Sequence, residues 1–425
     1  MNYPIMYRIR QTIDAPKVDN IKDRVIQELD SLNLASRITP GDRIVITAGS
    51  RGINHIDTIL KQVIHVLKSH KARPFIVPAM GSHGNGTAPG QLEILKSLNI
   101  SEETMGVPIL SSMEVKQIGV SSHDFPVLVD KHAAQADGVV VINRIKPHTE
   151  FEGPIESGLM KMMAIGLGKH KGCFEVHRQT VNFGYSHVIP EIGSIILKQI
   201  PVLFGVGIVE NIYDETACIK ACLPDQFYET ESMLLKKAKI YMARLPFDKI
   251  DILILDEMGK NISGTGMDTN VIGRIMFVGE KEPNTPKITR IVVLDLTKPS
   301  HGNAIGIGLA DFTTRDVIDK LDTQAMATNA ITAMTPEKAR LPVSLATDQA
   351  AIEAALQTIG AVAPADARIV HIKNTLEMGI LHVSHAFKKE MEKRKDLLLE
   401  KEIGALSFNA NGRLSPVKDL VIKNK

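Results

Sequence analysis

The sequence predicts an α/β protein of two domains, each built on a largely parallel sheet. Three observations carry this reading. Short β-branched runs alternate with segments of helical period, several of those runs end in Gly-rich loops, and 425 residues exceed what one hydrophobic core usually supports. The first run, DRIVITAGS (42–50), is followed by a helical pattern over 55–69. ARPFIVPAMGSHGNGT then gives a strand and a glycine-rich loop, and 88–98 a second helix. FPVLVD (125–130), a helix over 131–136 and GVVVINRIKPH (138–148) continue the rhythm. The apolar strand IPVLFGVGIVEN (200–211) and a helix near 225–243 close the first series.

A second series begins with IDILILDEMG (250–259) and ITRIVVLDL (288–296). Helices around 311–332 and 348–359 and the strand ARIVHIKN (367–374) follow. The expected boundary lies at the proline-bearing segment 244–249, giving an N-terminal domain over 1–245 and a C-terminal one over 246–425. The basic stretch FKKEMEKRKDLLLEK is interleaved with Glu390, Glu392, Asp396 and Glu400 and reads as a solvated C-terminal helix followed by a tail, near 385–425.

Composition removes several classes of function. Aromatics are 4% and Trp is absent, which disfavours base-stacking surfaces, and the net charge of +2 offers no nucleic-acid stripe. No apolar run approaches the roughly 20 residues that span a bilayer, and the first residues do not read as a signal peptide. Three cysteines, Cys173, Cys218 and Cys222, give no paired framework, so a cytoplasmic setting is expected. Cys218 and Cys222 are spaced to share a helical face and read as structural.

The densest chemistry lies in KPHTEFEGPIESGLMKMMAIGLGKHKGCFEVH, from Lys146 to His177. Lys161 sits among Leu159, Met160, Met162 and Met163. An ammonium in such company snorkels to water, is paired, or is used chemically. His148 follows a proline, and His177 follows the basic bend GLGKHKG. In open α/β sheets ligand groups gather at the carboxyl ends of strands. Ser50 and Arg51, the GSHG loop with His83, Lys146 with His148, the loop from Lys260 to Asp268, and the SHGN loop with His301 all fall at such ends. They argue for a cleft between two α/β domains. Neither GSHGNG nor GKNISGTGMD has the spacing of a Walker or dinucleotide fingerprint.

Taken together, Arg51, His83, His148, Lys161 and His177, in the contexts SRG, GSHG, KPH, GLMK and EVH, resemble the nickel-dependent lactate racemase family. The resemblance covers most of the N-terminal domain and, more loosely, the opening of the second. It implies a nickel-pincer nucleotide, pyridinium-3,5-bisthiocarboxylic acid mononucleotide, joined covalently to Lys161, with His177 as a nickel ligand sixteen residues further on. It also implies His83 and His148 as a pair of bases serving opposite faces of a 2-hydroxy acid. Arg51 would polarise the developing carbonyl or hold the carboxylate. The activity implied is racemisation or epimerisation at C2 by reversible hydride transfer to the cofactor, in an isomerase served by cofactor-maturation enzymes. Ser50 belongs to the expected cofactor site. Lys169 and Lys171 either grip the cofactor phosphate or form a solvated basic bend. A homo-oligomer is compatible with this reading.

The departures concern the substrate. This chain has Gly158-Leu159-Met160-Lys161 where lactate racemases carry a Gly-Gly-Arg-Lys type sequence. The Tyr, Gln and Lys of the lactate enzymes are replaced near Ile272, Gly273 and Met276. Lys260, Asp268, Arg274 and His301 are the expected substrate contacts, and a longer polyhydroxy or dicarboxylic acid is expected to suit them better than lactate. Two other readings stand beside this one. A divalent-metal hydrolase or lyase would use His83, His148 and His177 as ligands, and a non-catalytic carrier would need only Lys161 and His177.

Overall fold

The computed structural model describes residues 1–13, 15–50 and 52–418. The chain forms two compact units, Ala15–Met242 and a second made of Met1–Asp14 with Ala243–Lys425. Both are α/β.

In the unit 15–242, a five-stranded sheet runs in the order Arg73–Pro78, Arg43–Ala48, Gly138–Arg144, Val202–Glu210, Thr216–Cys222. The first four strands are parallel, and the last returns antiparallel from its neighbour. Their continuous apolar runs are those of strands covered on both faces. Ile44, Ile46, Val140, Ile142, Phe204 and Val206 enter a buried core with Ile59, Leu60, Val63 and Leu67 of the helix Ile56–Ser69. Cys218 and Cys222 lie on the strand Thr216–Cys222, not on a helix. Pro126–Asp130 is a strand but pairs antiparallel with Val115–Val120 in a separate ribbon. The helix expected over 131–136 is a single 3-10 turn, Ala133–Gln135.

The other unit holds an eight-stranded sheet in the order Val343–Leu345, Phe312–Thr314, Lys287–Val293, Lys249–Leu255, Ile369–Ile372, Ile380–Ser384, Ile5–Gln11, Leu397–Ala405. Its first five strands are parallel and the last three pair antiparallel. Two expectations are corrected here. Residues 1–14 do not belong with the N-terminal domain, because Ile5–Gln11 is hydrogen-bonded between two strands from the end of the chain. The C-terminal helix expected near 385–425 is limited to the short turns His385–Phe387 and Lys388–Met391, and Leu397–Ala405 is an edge strand. The alternating charges that suggested a solvated helix instead discourage edge-to-edge pairing.

Candidate functional site

Lys161 is presented by a short helix with an unusual start. Asn143 Nδ2 donates to the Gly158 carbonyl at 2.8 Å, and the Met160 N–H donates to the buried Glu231 carboxylate at 2.9 Å. A Cβ on Gly158 would lie 2.4 Å from that carboxyl group, so only glycine lets it approach. Met160 packs against Gly193 of the helix Tyr185–Gln199. Directly after Lys161 the backbone loosens into a π turn, Met162–Gly166, a form often found at functional sites. This turn meets the GSHG loop, where the Gly81 N–H donates to Gly166 O at 3.2 Å. Gly81 has φ +58°, and a Cβ there would press on Ile165 and on Cys173 Sγ at 3.3 Å.

Burial pushes the Glu231 carboxyl up to about 8, against the lowering effect of the Met160 and Leu159 N–H groups. Between its ordinary value of 4.5 and about 8, the folded chain holds a proton that the unfolded chain has lost. Stability therefore falls as pH rises through that window, by on the order of 5 kcal/mol for the full shift. Glu231→Gln keeps an acceptor for Met160 and should flatten this slope. Urea midpoints at about pH 5 and about pH 9 check it: the variant should outlast the natural protein only at the higher pH.

His148 stands in a loop pinned at its base by paired backbone bonds between Lys146 and Ser157. Glu156, fully buried, accepts the His148 N–H at 2.6 Å and the Gly153 N–H at 3.2 Å, and pairs with Lys239 at 2.7 Å. The His148 ring receives the Glu150 N–H on Nδ1 at 3.1 Å, and its Nε2 is in hydrogen-bond contact with Lys161 Nζ. The ring also lies against Phe151 and Tyr185, at centroid distances of 4.8 and 5.4 Å.

Tyr185 joins His148 to His177. Its hydroxyl donates to Glu150 Oε2 at 2.8 Å and lies 2.8 Å from His177 Nδ1. A phenol has one proton, and it is committed to the carboxylate. The His177 Nδ1–H must therefore donate to the phenol oxygen, which leaves the lone pair on Nε2. Burial, then the Glu150 carboxylate, pushes the Tyr185 hydroxyl well above its usual range, so it stays protonated in this role. One turn before His177, Cys173 hydrogen-bonds to the same imidazole, and its Sγ lies 3.8 Å from Ser82 Oγ. Burial opposes charge on both members of this pair. Their mutual contact outweighs it, drawing the thiol down and, with Glu150, the imidazole up. His83 is exposed on the GSHG loop, its Nδ1 2.5 Å from Ser50 Oγ. Arg51 lies outside the described residues.

Other expected residues take structural roles. Lys169 is 0% exposed; its Nζ donates to Pro78 O and lies 3.2 Å from Asp130 Oδ2 and 3.3 Å from Gln91 Oε1. It is a buried tie, not a phosphate grip, whereas Lys171 is exposed on the first turn of the helix Lys169–Phe183. In the second unit, Arg274 donates to the carbonyls of Leu309, Ile288 and Thr289 and pairs with Asp311 at 2.8 Å. Its charge is spent on loop architecture, which removes it as a substrate contact. Asp268 caps the short helix Thr269–Ile272 by accepting the Asn270 N–H, and Ile272 is core. Lys260 Nζ is held by Gly264 O at 2.7 Å and Asn329 Oδ1 at 3.1 Å, and His301 is exposed in a left-handed turn. Among the described residues no three His, Cys, Asp or Glu side chains converge as a metal site, so His83, His148 and His177 do not form a three-histidine centre.

Residues 7–187 match the family model of the lactate racemase N-terminal domain. The structure of the lactate racemase apoprotein from Thermoanaerobacterium thermosaccharolyticum has a similar fold, with a TM-score of 0.53 at 12% identity over 86% of this chain and 94% of that one. No curated protein sequence matches the chain.

Proposed function

We propose that the protein is a racemase or epimerase acting at C2 of a 2-hydroxy acid, with a nickel-pincer nucleotide attached at Lys161 and coordinated by His177. One observation carries the proposal: the Glu150–Tyr185–His177 relay fixes the histidine tautomer that leaves Nε2 available to a metal, in the same cluster that sets Lys161 against His148. The cofactor, when bound, supplies a reversible hydride acceptor. The residues of this chain supply the rest. His148 and His83 exchange a proton with the substrate hydroxyl from opposite faces, and Ser50 orients the His83 ring. Arg51 holds the substrate carboxylate. Lys171 at the helix start is the remaining candidate for the cofactor phosphate.

A carrier would need only Lys161 and His177, yet both proposed bases stand in ordered hydrogen-bonded positions. Cofactor-maturation enzymes would be its partners. Among the described residues no helix is long and apolar enough to cross a membrane.

The test is intact mass and peptide mapping of protein co-produced with cofactor-maturation enzymes. The added mass should fall on the peptide containing Lys161 and vanish in Lys161→Ala; an adduct on Lys146 would overturn the attachment. Chiral assays on lactate, malate and aldonates then identify the substrate. With Arg274 committed to its own loop, the expectation of a larger acid rests only on the lost Tyr, Gln and Lys. Lactate giving the highest kcat/KM would remove it.

A further inference from the structure

Four adjacent strands of the second unit place a row of basic side chains in register. His371 pairs with His382, His382 with Arg8, and Arg8 with Lys401. Directly opposed residues on neighbouring strands share one face of a sheet. The row accordingly lines a single cavity of about 350 Å³, roofed by the segments around Leu406 and 414–418. This is the size of a small-molecule site.

The acidic groups nearby are already engaged. Glu400 takes Nε of both Arg8 and Arg10 at 2.7 Å, and Asp256 takes His371 Nε2 at 2.6 Å and the Val417 N–H at 2.8 Å. Arg8 is only 6% exposed; its Nη1 donates to Lys418 O at 2.8 Å, while among the described residues Nη2 has no hydrogen-bond partner. A buried guanidinium nitrogen left without an acceptor is costly unless something supplies one. Burial, then the positive neighbours His371, Arg8 and Lys401, push the His382 imidazole down to about 3. That is the response of a neutral base to a field of positive sign. Ser415 adds a hydroxyl at the rim, and Met6 and Leu414 give the cavity an apolar wall.

We propose that this cavity binds a small organic oxyanion, with a carboxylate or phosphate group on Arg8 Nη2 and Lys401 and an apolar body against Met6 and Leu414. The site is separate in sequence and in chemistry from the Lys161 cluster, so it stands whether or not the racemase reading does. The experiment is calorimetric titration of the full chain with phenyl phosphate, benzoate and inorganic phosphate. One saturable site is expected for at least one organic probe, and the preferred probe identifies the head group. Lys401→Met and Arg8→Met should each weaken binding about tenfold or more, the loss of a charge-assisted contact. Lys161→Ala should leave the titration unchanged. Lys401 is an exposed edge-strand residue, so its variant remains informative even if Arg8→Met fails to fold. No saturable binding of any probe, or binding unaltered by Lys401→Met, would overturn the assignment.

Discussion

Replacing His177 with alanine is expected to strip nickel from the holoprotein and to abolish turnover with it, while the covalent adduct at Lys161 persists. In the proposed reading the imidazole would be the metal donor, its tautomer fixed by the Tyr185 hydroxyl. Tyr185→Phe is the more discriminating variant. It keeps the ring that stacks on Phe151 at 4.9 Å but deletes the oxygen that holds His177 and the proton given to Glu150. Losing such an orienting partner lowers metal affinity or activity by about 10–100-fold. Metal analysis after dialysis against a competing chelator reads both variants. Full nickel retention in His177→Ala would remove His177 as the ligand.

His148→Ala should lower turnover by roughly 10²–10⁴-fold, the range for a positioned acid–base group, with nickel content and adduct mass unchanged. His83→Ala should do the same, and Ser50→Ala should act in the same direction but less strongly, since it removes only the partner that orients the ring. Single-turnover kinetics from each enantiomer would separate the two bases. If His83→Ala lost nickel while His177→Ala kept it, the two roles would have to be exchanged.

The parts of the site that could be read from the sequence are those carried by short-range pattern. Lys161 among methionines, and the Lys161–His177 separation, are visible without any tertiary knowledge. So are the βα rhythm and the Gly-rich strand ends. Tyr185 and Glu150 carry no such pattern, because each sits in an ordinary context and meets its partners only when the 146–157 loop folds onto the helix Tyr185–Gln199. The one signal was rarity: the chain has six tyrosines, and this one follows Gly184 just beyond His177.

Lys169 misled for the opposite reason. Its neighbours His170 and Lys171 are exposed, but a positive φ of 55° turns Lys169 inward to Asp130. Arg274 and Asp268 likewise had the right chemistry for a substrate, and their own loops consume it. For the C-terminal segment, a mixture of Lys and Glu is compatible with either a solvated helix or a guarded edge strand. Only pairing with residues 5–11, almost four hundred positions away, decides between them.

That pairing has a consequence for how the protein is made. Residues 15–242 are one uninterrupted stretch, free to fold as soon as it has been synthesised. The strand Ile5–Gln11 leaves the ribosome before all of it, yet both its neighbours, Ile380–Ser384 and Leu397–Ala405, come from the end of the chain. This strand must wait for hydrogen-bonding partners made almost four hundred positions later, with its apolar face unclaimed. Closing so long a loop is intrinsically slow, so completion of the eight-stranded sheet is the step at which chaperones and aggregation would compete for the nascent protein.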